Sequence, residues 1–279
     1  MKRNRVKRYL IFNFCLLLFL STAFHNLREH AALSRLSETT VATEKFRSQP
    51  VDTQMQKQIQ NMEEPGEVLA LYWLEQDFET KQAAKMPTVE TLKDTKEKWE
   101  KAKGWDTYNK ACKAIWDDLE YFPIPEASNH SHVAVTFENS WMFSRSYKGE
   151  RGHEGTDIMP TVDKRGYYPV ISMTDGVVRQ KGWLELGGWR LGIETEKGAY
   201  FYYAHMDSYA DIKEGDIVHA GDLLGYMGDT GYGKKEGTKG NFPVHLHVGI
   251  YLNVDGKEIS INPYPALKYL ESRKISCVY

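Results

Sequence analysis

Twenty of the 22 glycines in this chain lie after position 148. Glycine weakens helices and supplies the left-handed residues of tight turns. The second half therefore reads as short strands joined by turns, and the first half is left free for helices. Totals exclude more than they identify. A formal net charge of -2, from 36 basic and 38 acidic residues, gives no basic excess for nucleic acid, so no nucleic-acid partner is expected. A hydrophobic share of 41% over 279 residues is enough to build a core, so the chain is not an acidic disordered one. Three cysteines with no CxxC pair rule out a disulfide-dense scaffold.

The N-terminus carries an export pattern. Lys2, Arg3, Arg5, Lys7 and Arg8 precede an uncharged run from Tyr9 to Phe24, with small residues at Ser21-Thr22-Ala23. Basic cluster, apolar run and small residues are the parts of a signal peptide. The run is shorter than the ~17–25 residues that usually span a bilayer, and a signal anchor and a cleaved signal both stand. On either reading the basic cluster stays in the cytoplasm, the N-terminus contacts membrane and the rest is exported. The expected location is extracytoplasmic, in the cell envelope, anchored or secreted.

Residues 1–25 are assigned to this signal and 26–65 to a polar linker, in which Phe46 is the one aromatic residue and no apolar face is evident. Residues 66–125 form a helical segment. Leu71, Leu74 and Phe78 recur at helical spacing, and Tyr108, Ala111, Cys112, Ile115, Trp116 and Leu119 make an amphipathic stripe. Trp99 and Trp116 are read as core residues. Cys112 is read as a buried thiol, with a disulfide to Cys277 left open. A protein partner for the helical segment is left open too. Residues 126–279 hold short runs such as Gly176–Val178, Leu191–Thr195, Ala199–Ala204 and Leu223–Met227 between Gly, Asp and Lys turns, the pattern of an all-β domain.

Three histidine patterns fall in that domain. His153 and Asp157 are four apart, with Gly155 and Thr156 between them arguing for a loop that enters a strand. His245-Leu246-His247 opens a strand in which Leu246, Val248 and Ile250 share one face, leaving His245, His247, Gly249 and Tyr251 on the other. An aromatic strand, Phe201-Tyr202-Tyr203-Ala204, ends in His205. Catalytic zinc commonly takes three protein ligands from histidine and carboxylate. His153, Asp157 and His247 supply such a set for one Zn2+ per chain. His205 and His245 then remain for the proton transfer and charge stabilisation that amide hydrolysis needs.

The ordered set of H-x-x-x-D, Y-A-H-M and H-L-H, among T-D-G-V-V, G-D-x-V-x-A-G-D-L-L-G and a closing N-P, resembles the lysostaphin/LytM-type zinc metallopeptidases, which are bacterial peptidoglycan endopeptidases. The likeness runs from about 149 to 269. It implies a mainly β fold, an antiparallel β-barrel or sandwich-like core with an open groove across the zinc. It implies metal ligation by His153, Asp157 and His247, and a catalytic pair in His205 and His245. The implied activity is zinc-dependent hydrolysis of peptidoglycan peptide bonds outside the membrane. The alternative is a non-catalytic scaffold or activator in the envelope. Two departures stand out. A longer segment, Gly231–Val244, precedes H-L-H, and Val248 follows it where an aromatic residue is common. Neither removes a ligand, and the first alters a groove wall. Asn139 loosely resembles the position from which a latent member blocks its zinc.

Overall fold

The computed structural model describes residues 2–80, 86–130, 132–147 and 149–279, with residues 2–4 and 6 described by backbone alone. Helix α1 (Lys2–Leu33) carries the apolar run, and its apolar side chains from Tyr9 to Leu27 are exposed. Among the described residues it is the one helix long and apolar enough to cross a membrane. It continues past position 25 because the following residues, from Asn26 to Leu33, include good helix formers and no glycine or proline.

Six short helices follow: α2 (Glu44–Arg47), α3 (Thr53–Ile59), α4 (Gly66–Glu75), α5 (Val89–Lys93), α6 (Lys96–Trp99) and α7 (Trp105–Trp116). Helix α7 bears the expected stripe, with Tyr108, Ala111, Cys112, Ile115 and Trp116 buried. Helix α4 differs from its expected one-sided pattern, being buried at every position from Val68 to Leu74. A helix apolar all round is an interior helix, and α4 packs against α7. The two tryptophans read as core are core: the Trp99 indole N–H donates to Glu75 at 2.7 Å and that of Trp116 to Gln49 at 2.8 Å. Cys112 and Cys277 are both free thiols, the first buried.

The reading of 26–65 as a linker without an apolar face does not hold from Val41 onward. Val41, Phe46, Met55 and Ile59 are fully buried. Each one- or two-turn piece contributes only one or two apolar side chains, so no periodicity forms, yet together they close the core built by α4 and α7. Asp52 caps α3 through the Gln54 and Met55 amides and accepts from the Tyr72 hydroxyl at 2.7 Å. Phe46 meets Trp73 and Tyr108 edge to face. Arg47 donates to the Ser260 carbonyl at 2.8 Å, which fixes this segment to the far end of the chain.

The second half is a ten-stranded sheet. Its strands are β1 (Val135–Phe137), β2 (Thr156–Pro160), β3 (Pro169–Ile171), β4 (Gly176–Leu184), β5 (Gly188–Glu194), β6 (Ala199–Tyr209), β7 (Ile217–Val218), β8 (Leu223–Met227), β9 (Leu246–Val254) and β10 (Lys257–Ile261). The main path runs β7-β4-β5-β6-β9-β2-β1, with β8 on β3 and β6 and β10 on β9, and every pairing is antiparallel. The expectation of a barrel is corrected here. The path ends at β7 and β1, which do not pair with each other, so the sheet stays open and one face is left as a groove. Leu191, Ile193, Phe201, Tyr203, Val248 and Ile250 join the helical segment in one continuous core. Helix α8 (Tyr264–Leu270) completes that joint, with Tyr269 edge-on to Trp116 at 5.8 Å.

Candidate functional site

Register brings the first groups together. Strands β2 and β9 pair so that Asp157 lies opposite His247. On the other side of β9, Ala204 of β6 lies opposite His247, which carries His205 to the same edge. The alternation expected for β9 is present. Leu246, Val248 and Ile250 are buried beneath, and His247 and Tyr251 face the groove. His153 stands in the segment before β2 and is clamped by two backbone bonds, from its own N–H to Phe143 O at 2.9 Å and from the Met142 N–H to its carbonyl at 2.7 Å.

His153 Nε2, His247 Nδ1 and Asp157 Oδ1 form a triangle with all three edges 3.0 Å. Donor atoms of a tetrahedral zinc, bound at ~2.0–2.1 Å, stand roughly 3.3 Å apart. Two imidazoles and a carboxylate are also the donor types that zinc selects. The residues therefore fit the metal on chemistry and on spacing. The other Asp157 oxygen, Oδ2, accepts from Arg145 Nη2 at 2.7 Å, which leaves Oδ1 alone to face the two nitrogens. Burial by itself would raise the Asp157 pKa. Its contacts with His153 and His247, and the attraction it would feel for His247 and His245 when they are protonated, outweigh it and hold the carboxyl well below the usual carboxylate range.

Carbonyl oxygens only accept, so they fix the imidazole tautomers. Nδ1–H of His153 donates to Ser140 O at 3.1 Å, that of His205 to Thr230 O at 2.7 Å and that of His245 to Pro243 O at 2.9 Å. In the neutral tautomer that these bonds select, each ring turns Nε2 toward the site. Burial lowers the His205 pKa well below its usual value, and the neighbouring His245 and His247 push the same way, so this ring is neutral at pH 7. Burial also lowers His247, against the pull of Asp157.

His205 owes its place to a distortion. Its backbone has φ of 62°, in the left-handed region that a residue with a Cβ seldom adopts. Ala204 and His205 together face the single residue Arg190 of β5, a β-bulge that turns the imidazole into the groove. The His205 and His245 rings are 4.6 Å apart between centroids, and His205 to His247 is 5.9 Å. Gly155 makes room for the third ring: a Cβ there would stand 2.3 Å from His247 Cε1 and 2.4 Å from its Nε2.

All five sequence-expected residues thus border one open groove of about 740 Å³. Sequence reasoning missed what holds them. Thr230, which anchors His205, immediately precedes the unusually long 231–244 segment, and Pro243, which anchors His245, lies near its end. Phe242 of that segment packs on both rings, at 4.8 Å and 5.1 Å between centroids. The extra length is a buttress for the two histidines as well as a wall. Arg145 and Ser140 carried no sequence signal, because their contacts to Asp157 and His153 cross between separate stretches of chain. Asn139 accepts from the Asn262 side chain at 3.2 Å. Glu154, next to His153, lies 3.9 Å from Arg47.

The chain matches two family profiles, "LytM, N-terminal domain" over residues 31–118 and "Peptidase family M23" over 151–263. It is similar to a crystal structure from Ruminococcus gnavus described as a candidate glycyl-glycine endopeptidase LytM, with 49% identity and a TM-score of 0.79, covering 88% of this chain and 99% of that one. It is 41% identical over 153 residues to the L-Ala–D-Glu endopeptidase of Bacillus subtilis, covering 54% of this chain and 43% of that protein. It is 28% identical over 149 residues to the lysostaphin of Staphylococcus simulans, covering 48% of this chain and 28% of that protein. The chain spans less than half the length of these two curated relatives.

Proposed function

Because the chain belongs to the LytM-type peptidases of family M23, we propose that it is a zinc-dependent endopeptidase hydrolysing peptide bonds of bacterial peptidoglycan outside the cytoplasmic membrane. The observation that carries this reading is the 3.0 Å triangle of His153 Nε2, Asp157 Oδ1 and His247 Nδ1 at the floor of an open groove. These three residues hold one zinc ion per chain. Bound there, zinc supplies Lewis acidity, which polarises a carbonyl and makes water acidic enough to act as a nucleophile near pH 7.

The chain's own groups do the rest. His205 and His245, with Nδ1–H tied to carbonyls, share the proton of the attacking water and the charge that develops on the scissile oxygen. The buried, bulged backbone at His205 keeps that ring from swinging away. Arg145 holds the carboxylate of Asp157, and the 231–244 segment forms one wall against which the peptide lies. Helix α1 supports an extracytoplasmic location, with Lys2, Arg3, Arg5, Lys7 and Arg8 at the cytoplasmic face. The relatives' names carry two different bonds, L-Ala–D-Glu and glycyl-glycine.

A zymogram on purified peptidoglycan tests the reading. The full chain is expected to clear the gel, to stop when a chelator is added and to resume with zinc. A zinc-loaded chain that binds peptidoglycan and clears nothing would instead place it with the non-catalytic scaffolds and activators.

A further inference from the structure

Besides Arg145, which is neutralised by Asp157 at 2.7 Å, the groove is lined by one more guanidinium, that of Arg151. Arg151 pairs with Arg145 in the short hairpin Ser144–Arg145/Arg151–Gly152. It lies two residues before His153, and in extended chain alternate side chains share a face. Its head therefore projects on the groove side, roughly 7 Å along the chain from a metal ligand, about the length of two residues of an extended peptide. Arg151 Nη1 donates to the Tyr147 carbonyl at 3.0 Å, and Nη2 lies 3.5 Å from the Tyr232 hydroxyl. Tyr147 and Tyr232 are themselves stacked, 4.6 Å apart and 8° from parallel. The guanidinium is thus oriented by a fixed pair of rings, yet among the described residues it has no carboxylate partner. The acidic side chains of the same groove stand apart: Glu154 lies by Arg47, and Glu258 lies opposite Asn253 toward the far end of β9.

A guanidinium has five N–H donors, and two parallel ones match the two oxygens of a carboxylate. An oriented, unpaired guanidinium beside a peptide-cleaving centre is a receptor for an anion on the peptide. We infer that Arg151 recognises a carboxylate on the substrate residue next to the scissile bond, so that the preferred substrate is an acidic peptide and not a run of glycines. This rests on the endopeptidase reading above and deepens it. A D-glutamyl residue keeps one carboxyl free when the other continues the chain, whereas a glycine bridge offers no charge along its length.

The test uses the full zinc-loaded chain in detergent and three peptides: L-Ala–D-Glu extended at its γ-carboxyl by L-Lys, the same peptide with D-isoglutamine, and pentaglycine. The first two differ only in carboxylate against carboxamide. The parent chain is expected to cleave and to bind the acid peptide about 10- to 100-fold better than the amide, the range of a charge-assisted contact. Arg151→Gln is expected to collapse that preference, and Arg151→Lys, which keeps the charge without the fork, to restore part of it. An unchanged acid-to-amide ratio in Arg151→Gln, or cleavage of pentaglycine at least as fast as the acid peptide, overturns the inference. Equilibrium binding separates it from the reading beneath it. Acid-selective, Arg151-dependent binding without cleavage of any peptide sinks the hydrolase reading and leaves the carboxylate site standing.

Discussion

Arg145 and Gly155 act on the proposed metal ligands without belonging to that set. The guanidinium binds one oxygen of Asp157 and aims the other, while the bare Cα of Gly155 lets the His247 ring lie where it does. Groups that orient ligands in this way are worth about 10- to 100-fold in metal affinity. Arg145→Ala and Gly155→Ala are each expected to weaken zinc retention by about that factor, read as the chelator concentration that strips the ion. Retention equal to the parent in both would show that the triangle orients itself. That His153, Asp157, His205, His245 and His247 gather in one place was expected from the sequence, on short spacings, strand alternation and the ordered motifs of the family resemblance together. Arg145, Ser140 and Thr230 were not, because each meets its histidine or aspartate through the fold. The left-handed backbone of His205 is likewise set by strand pairing, and no residue type announces it.

Short elements were where the sequence was least legible. The segment 26–65 reads as a polar linker, yet Phe46 within it is fully buried against Trp73 and Tyr108. Phe46→Ala is expected to cost about 3–5 kcal/mol, the range for emptying an aromatic core site; a denaturant midpoint within error of the parent would return the segment to linker status. Helix α4 meets the end of α7 at a half-buried polar contact. Asp117, just past α7, accepts from the Gly66 amide at 2.7 Å, and burial pushes its pKa up to about 6, with Glu64 adding to the rise. The folded protein then holds a proton there that the unfolded chain, with the ordinary value of 3.8, releases earlier. Stability from this group is therefore present below about pH 4 and is lost as pH rises through about 6. Asp117→Asn keeps the acceptor and drops the charge. Its melting temperature is expected to exceed the parent's at pH 7.5 and to match it near pH 4. A gain of equal size at both pH values would contradict the assignment.

Across the whole molecule, the glycine asymmetry marks a real division of labour. The glycine-rich half makes an open antiparallel sheet whose groove face collects five polar side chains. The glycine-poor half supplies the exposed helix α1 and a helical layer joined to that sheet through Arg47, Tyr269 and the continuous core. Periodicity announced the sheet. Its openness was not legible, because whether the first and last strands meet depends on twist and strand length and not on any local pattern. On the proposed function, the His153–Asp157–His247 triangle holds the zinc with which this chain cuts peptidoglycan peptides. The most direct test is the number of new amino termini released from purified peptidoglycan by the full chain and by His247→Ala, with bound zinc measured in the same samples. One zinc per parent chain with steady release of amino groups, and loss of both in His247→Ala at unchanged fold by circular dichroism, is the predicted result. Release that persists in His247→Ala, or in a parent chain free of zinc, would contradict the account.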